Sequence, residues 1–324
     1  MLPLPVVSEQ PMKASPIAMK LLVVLTLAAC LIFGAFSPAA GQEPGAGAWS
    51  IRPANETGPD GRGRFNWDLD PGASLTDRVS VRNLGSERLS LRVYASDAVT
   101  TPDGGFDILP ADTPPEALGA WIKFERDVVD LGPGESTVIP FTLTVPANAT
   151  PGDHPGGIVA SLSRAATGDQ GAVRLDYRVG LRAYLRVSGV LTPVLGLENL
   201  KLDYSGSLNP AGGGDATVTY SLTNSGNVRL TAMQRVRVKG PFGITLAESE
   251  PSELPQVLPG QSYNASTVLT GIPPALRVSA EVLIEPLQPD GSPVSELGTI
   301  SAKTSVWAPP WTQTVVVIGG VALA

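Results

Sequence analysis

One cysteine, one histidine and 16% charged residues leave this 324-residue chain with little to do chemistry with. Cys30 sits in an apolar leader, so once the leader is removed no disulfide, thiolate metal site or cysteine nucleophile remains. His154, in Gly152-Asp153-His154-Pro155-Gly156, would have to serve any serine triad, and no G-x-S-x-G elbow supplies a nucleophile. There is no P-loop, G-x-G-x-x-G fingerprint, H-E-x-x-H or EF-hand spacing. Asp60, Asp68, Asp70, Asp103 and Asp107 lie in or near turns, where aspartate usually caps the backbone and only rarely binds calcium. A net charge of −7 makes nucleic acid a poor partner. The expectation is a protein that is not an enzyme and that carries no cofactor or metal.

What the chain has in quantity is glycine (35) and proline (31), with abundant valine and leucine, which predicts many short strands joined by turns. Residues 1–41 read as a leader and secretory signal. Met19-Lys20 precedes the apolar run Leu21 to Phe36, and Ser37-Pro38-Ala39-Ala40-Gly41 supplies small residues for cleavage near Ala39. An uncleaved anchor is the competing reading. Leu27-Ala28-Ala29-Cys30 resembles a lipobox, although Leu31-Ile32-Phe33 continues the apolar run past the cysteine. Asn55-Glu56-Thr57, Asn148-Ala149-Thr150 and Asn264-Ala265-Ser266 fit the glycosylation sequon and mark exposed loops.

The most regular stretch is Val173 to Ser188, in which the odd-numbered residues from Val173 to Val187 are apolar and most of the others charged. A helix would stack its four arginines along one face but scatter the apolar residues around every side, so the period of two predicts a strand. Sixteen residues would extend roughly 50 Å, and Gly180 is the expected bend or bulge. Leu175, Val179, Leu181 and Leu185 are expected to be buried, with the strand returning from a hairpin begun at Gly157 to Arg164. Arg174, Arg178, Arg182 and Arg186 would stand about 13 Å apart on one face. Such a row is the candidate ligand-binding set, suited to carboxylates or phosphates of an envelope polymer. Pairing with Asp or Glu on neighbouring strands is the plainer alternative.

Strands are expected at Trp49 to Pro53, Phe65 to Leu69, Leu75 to Arg82, Leu89 to Ser96, Trp121 to Phe124, Val128 to Leu131, Thr137 to Val145 and Gly156 to Leu162. A second series begins at Leu195 and includes Thr217 to Thr223, Leu230 to Lys239, Ser266 to Leu269 and Arg277 to Leu283. The halves echo each other. Asn83-Leu84-Gly85 follows a strand in the first and Asn224-Ser225-Gly226 in the second, while Leu131-Gly132-Pro133-Gly134 matches Leu258-Pro259-Gly260. The fold class is therefore all-β, two tandem immunoglobulin-like sandwiches at 49–190 and 191–306 after a linker at 42–48. Residues 307–324 read as the start of a transmembrane anchor. Trp307 and Trp311 would form an interfacial belt, although the ten residues from Val315 fall short of the ~20 a span requires.

Several segments, in order, resemble the N-terminal domain of the WxL-interacting cell-surface proteins of Gram-positive bacteria. They are Ile51-Arg52-Pro53-Ala54-Asn55-Glu56, the strand pair around Arg82-Asn83, Asp97 to Gly105, Val129-Asp130-Leu131-Gly132-Pro133-Gly134-Glu135, and Gly152 to Ile158 with its Gly-Gly-Ile. The resemblance covers Trp49 to about Ser188 and implies a first domain that binds peptidoglycan and a second that meets an envelope or host protein. It also implies an exported, single-pass membrane-anchored protein with its sandwiches outside. The function expected from it is that of a non-enzymatic cell-wall surface protein. The alternative is an extracytoplasmic chaperone or assembly scaffold that binds a partner protein by strand addition.

Overall fold

The computed structural model describes residues 48–323 apart from 169, 170, 208, 210, 211 and 310. The expected leader and signal at 1–41, Cys30 within it, and residues 42–47 of the expected linker lie outside the described residues.

Alternating apolar residues, as the period of two demands, build two pairs of sheets, each closed over its own core. The first pair begins with a four-stranded sheet in the order β1 (Trp49–Ala54), β3 (Ser74–Asn83), β8 (Ser136–Thr144), β6 (Ile122–Phe124). Facing it, β2 (Phe65–Leu69), β10 (Gly171–Val187), β9 (Gly152–Gly168), β4 (Leu89–Thr100) and β5 (Phe106–Ile108) follow in order, with β7 (Val128–Leu131) also paired to β4. A one-turn helix, α1 (Leu118–Trp121), precedes β6. Val79, Val81, Ile139, Phe141 and Leu143 meet Phe65, Leu91, Val93, Ile158, Leu181 and Leu185 across this core. Phe65 stacks on Trp67 at 4.8 Å and meets Phe141 edge-on at 5.4 Å.

The second sandwich packs a sheet of β11 (Leu195–Ser205), β12 (Gly214–Asn224) and β16 (Ser262–Ile272) on another. The other runs β14 (Thr245–Glu248), β13 (Leu230–Lys239), β17 (Ala275–Leu287), β18 (Ile300–Ala308), with β15 (Ser252–Val257) paired to β13. Val218, Tyr220, Leu222, Val236, Val282 and Ile284 fill its core. The molecule is thus all-β, with two immunoglobulin-like sandwiches.

The echo between the halves is a buried device. Asn83 and Asn224 are both inaccessible to solvent. The Asn83 amide donates to the carbonyls of Glu87, Leu131 and Gly132, and its oxygen accepts from Gly85 N–H at 2.9 Å. Asn224 donates to Val228 and Val257 and accepts from Gly226 N–H at 3.0 Å. Each asparagine ties the turn that follows it to a strand on the facing sheet, satisfying carbonyls that would otherwise be buried without partners.

Three expectations are corrected. Gly180 makes no bulge, because β10 keeps register with β9 through all seventeen pairs from Gly171 to Val187. The four apolar residues expected inside divide by position. Leu181 and Leu185 are buried and Val179 packs against the core, but Leu175 is 42% exposed and Tyr177 51%, because the β9–β10 hairpin outruns the sheet it covers. At the other end of the chain, Trp307 belongs to β18, paired with Arg277, and not to a membrane belt. The helix that follows, α2 (Trp311–Leu323), has 13 residues and so measures about 20 Å against the ~30 Å of a hydrocarbon core. Among the described residues no helix is long and apolar enough to cross a membrane, against the single-pass anchoring expected from the sequence.

Candidate functional site

Strand β10 has two edges, and only one is fully used. Along the first it pairs with β9 over its whole length. Along the second it pairs with β2, in parallel, only from Ala183 to Val187. Among the described residues no strand pairs with Gly171 to Arg182 on that side. An unpaired strand edge presents a row of N–H and C=O groups to any extended chain that reaches it. Here the edge lies beside Leu175 and Tyr177, the exposed continuation of an apolar row whose next members, Val179 and Leu181, enter the core.

The opposite face of the same strand carries the arginines, and the structure gives each a separate setting. Arg174 lies opposite Ala165 on β9, and its side chain is not described. Arg178 donates to the Ile108 carbonyl at 2.9 Å and lies 4.0 Å from Asp107. Arg182 places its guanidinium 4.7 Å from the centre of the Phe106 ring, with no carboxylate within 4 Å among the described residues. Arg186 grips Asp153 with two hydrogen bonds, at 2.7 and 2.9 Å. No continuous stripe results. β5 lies across this face because small residues beneath it leave room. A Cβ on Gly157 would come within 2.1 Å of the Ile108 Cδ1, and one on Gly180 within 2.8 Å. Between Arg178 and Arg182 lies a cavity of about 350 Å³, walled by Phe106, Asp107, Ile108, Val159 and Gly180.

Beyond Ala183 the strand reaches the junction with the second sandwich, which sequence reasoning missed. Asp153 is buried there. It takes Arg186 from β10, the Arg229 backbone N–H at 2.8 Å, and the Arg229 guanidinium at 3.4 Å. Arg229 also sits 3.8 Å over the Tyr184 ring. Burial by itself would raise the Asp153 carboxyl, but hydrogen bonds from Arg186 and from the Arg229 backbone outweigh it and hold the pKa below the usual carboxylate value. Burial pulls Arg229 downward, against the attraction of Asp153. Asn227 completes the joint by donating to the Pro151 and Val190 carbonyls, both at 2.9 Å, and accepting from Thr192 N–H at 2.7 Å. Gly152, at φ +122°, lets the chains meet so closely that any Cβ would fall 2.2 Å from the Asn227 carbonyl oxygen. A second contact lies elsewhere. The Thr100 N–H donates to the Gln261 side chain, and Asn264 N–H donates to Pro102 at 2.9 Å.

The remaining sequence candidates are engaged locally. His154 Nε2 lies 2.8 Å from the Thr150 carbonyl oxygen and its ring lies 4.7 Å from Trp121. Asp60 pairs with Arg62, whose hydrogen bond draws the carboxyl downward, and Asp103 accepts from Thr101. Among the described residues no cluster of three His, Cys, Asp or Glu side chains is placed to hold a metal ion.

No family model matches the chain, and neither does any curated protein. Among solved structures it is similar to the chaperone–tip adhesin complex of CFA/I fimbriae biogenesis, at 13% identity over 80% of this chain and 99% of that one, with a TM-score of 0.37. The CupB2 chaperone of Pseudomonas aeruginosa is similar at 13% identity over 76% and 98%, TM-score 0.30. The CsuC–CsuE chaperone–tip subunit complex of Acinetobacter baumannii pili is similar at 11% over 79% and 98%, TM-score 0.34. These are fimbrial chaperones or complexes of them and none is a WxL-interacting surface protein, so the cell-wall and peptidoglycan binding expected from the sequence finds no support among them.

Proposed function

We propose that this chain is a non-enzymatic chaperone or assembly scaffold that holds an extended segment of a partner polypeptide of the cell envelope along the free edge of β10. One observation carries the reading: among the described residues Gly171 to Arg182 has a strand on one side only, beside an apolar row left exposed at Leu175 and Tyr177. Main-chain hydrogen bonds along such an edge give affinity for any extended segment, and side-chain contacts on alternate residues give selectivity. Burying the apolar surface of Leu175 and Tyr177 under a partner adds roughly 25 cal/mol per Å² removed from water.

Amide hydrogen exchange tests this. With a saturating, alternating Val/Thr undecapeptide as the probe, slowed exchange is expected at alternate amides between Gly171 and Arg182, and unchanged exchange in β12 and β17. Unaltered exchange along the edge would end the reading. Changing both Leu175 and Tyr177 to Asp should weaken the peptide at least tenfold. Because both side chains face solvent, the same change should shift the unfolding free energy by less than about 0.5 kcal/mol.

A further inference from the structure

We infer that the added strand is read through one side chain, an acidic one, seated opposite Gly180 between Arg178 and Arg182. The inference rests on strand addition at β10 and names which segment is taken.

Residues directly opposite on paired strands project to the same face. Gly180 faces Val159 on β9, and Val159 and Arg178 lie on the face covered by β5. A partner residue opposite Gly180 on the free side therefore projects to that same face. Gly180 offers no side chain of its own, and the newcomer leans over Ile108 into the cavity of about 350 Å³ that Gly180 helps to wall. Its diagonal neighbours are the residues two positions away, Arg178 and Arg182, within reach of long side chains.

Two guanidinium groups meet only one carboxylate, Asp107, among the residues that wall this space. Arg178 is already anchored by the Ile108 carbonyl, and the Arg182 guanidinium sits 4.7 Å over the Phe106 ring, so both are oriented before a ligand arrives. Arg182 has its hydrogen-bonding fork unclaimed by any acid within 4 Å among the described residues. A carboxylate on the incoming strand supplies the missing acceptor, and charge-assisted hydrogen bonds of that kind are about twice as strong as neutral ones. Phe106, Ile108 and Val159 supply the apolar part of a wall that is otherwise polar and open to solvent. A lysine in the same place would meet two like charges. The occupant is thus an extended, alternating segment with a Glu or Asp on the face opposite its apolar residues.

The test uses the full chain and four fluorescent undecapeptides. They share an alternating Val/Thr sequence and differ only at one central polar position, carrying Glu, Gln, Lys or Phe. The expected result is that Glu binds about tenfold tighter than Gln, and Lys weakest. In Arg182→Gln, and in Arg178→Gln combined with it, the Glu and Gln peptides should converge while the affinity for Gln stays where it was. The single variant leaves the Arg178 hydrogen bond to β5 intact, so it reports on the subsite even if the double variant is destabilised. Equal affinities for Glu and Gln in the unaltered protein would overturn the acidic subsite while leaving strand addition standing, and so would a Glu preference that survives both variants. A preference for Phe would overturn it in favour of an apolar seat. Failure of all four peptides to bind would remove strand addition itself, and the subsite with it.

Discussion

Replacing Asp153 with alanine is expected to cost the protein about 3–5 kcal/mol of unfolding free energy at neutral pH, measured by guanidinium titration. The carboxylate is the single acid to which Arg186 and Arg229 are both paired, and Arg229 is largely enclosed. Removing one member of a buried ionic group leaves the others desolvated without compensation, which is why such deletions cost more than the intact group contributes. The backbone N–H of Arg229 loses its acceptor in the same step. Acid should erase the difference. The folded carboxyl titrates below its unfolded value near 3.9, so the stabilisation is fully present above that pH and is lost as the pH falls through the folded pKa. Wild type and variant should therefore differ most at pH 7 and converge toward pH 2. A variant within 1 kcal/mol of wild type at pH 7 would show that the joint does not depend on this carboxylate.

The second large effect is expected at the paired asparagines. Asn224→Ala removes three hydrogen bonds at once and strands the Val228 and Val257 carbonyls in a dry interior. Each buried group left unsatisfied costs ~1–3 kcal/mol, so a loss of about 3 kcal/mol is expected, and a similar one for Asn83→Ala. The symmetry is the sharper part of the prediction, since the two changes lie in different sandwiches and yet touch the same device. If denaturant melts gave a severe loss at one site and a negligible one at the other, the shared role would be refuted.

These asparagines show what can be read from a chain alone. The Asn-x-Gly echo was visible because the hydrogen bonding is local: the amide reaches the carbonyl four residues on and the N–H two residues on, at both sites. Strand β10 was visible because burial on one face imposes a period of two. That period says which side a residue faces but not where the core ends, so Leu175 looked identical to Leu185 and only one of them is covered. A lone glycine in a strand usually marks a bend, whereas the role of Gly180 is to leave room above it for Ile108. Trp307 misled for a related reason. β18 alternates small and polar residues, Ser301, Lys303 and Ser305 among them, which weakens its strand signal beside two conspicuous tryptophans. The joint at Asp153 joins residues from β9, β10 and the turn before β13, and nothing in their spacing announces that they meet. Of the arginine row, sequence pattern established the shared face but not the partners. Those depended on β5 folding over the middle of the strand and the second sandwich closing over its end.

The two attachments between the sandwiches have a mechanical consequence. A single point of contact would leave one body free to turn in every direction, whereas Asn227 with Asp153 and Gln261 with Thr100 join the pair at separate places. Two separate attachments leave the line through them as the one axis about which the sandwiches could turn.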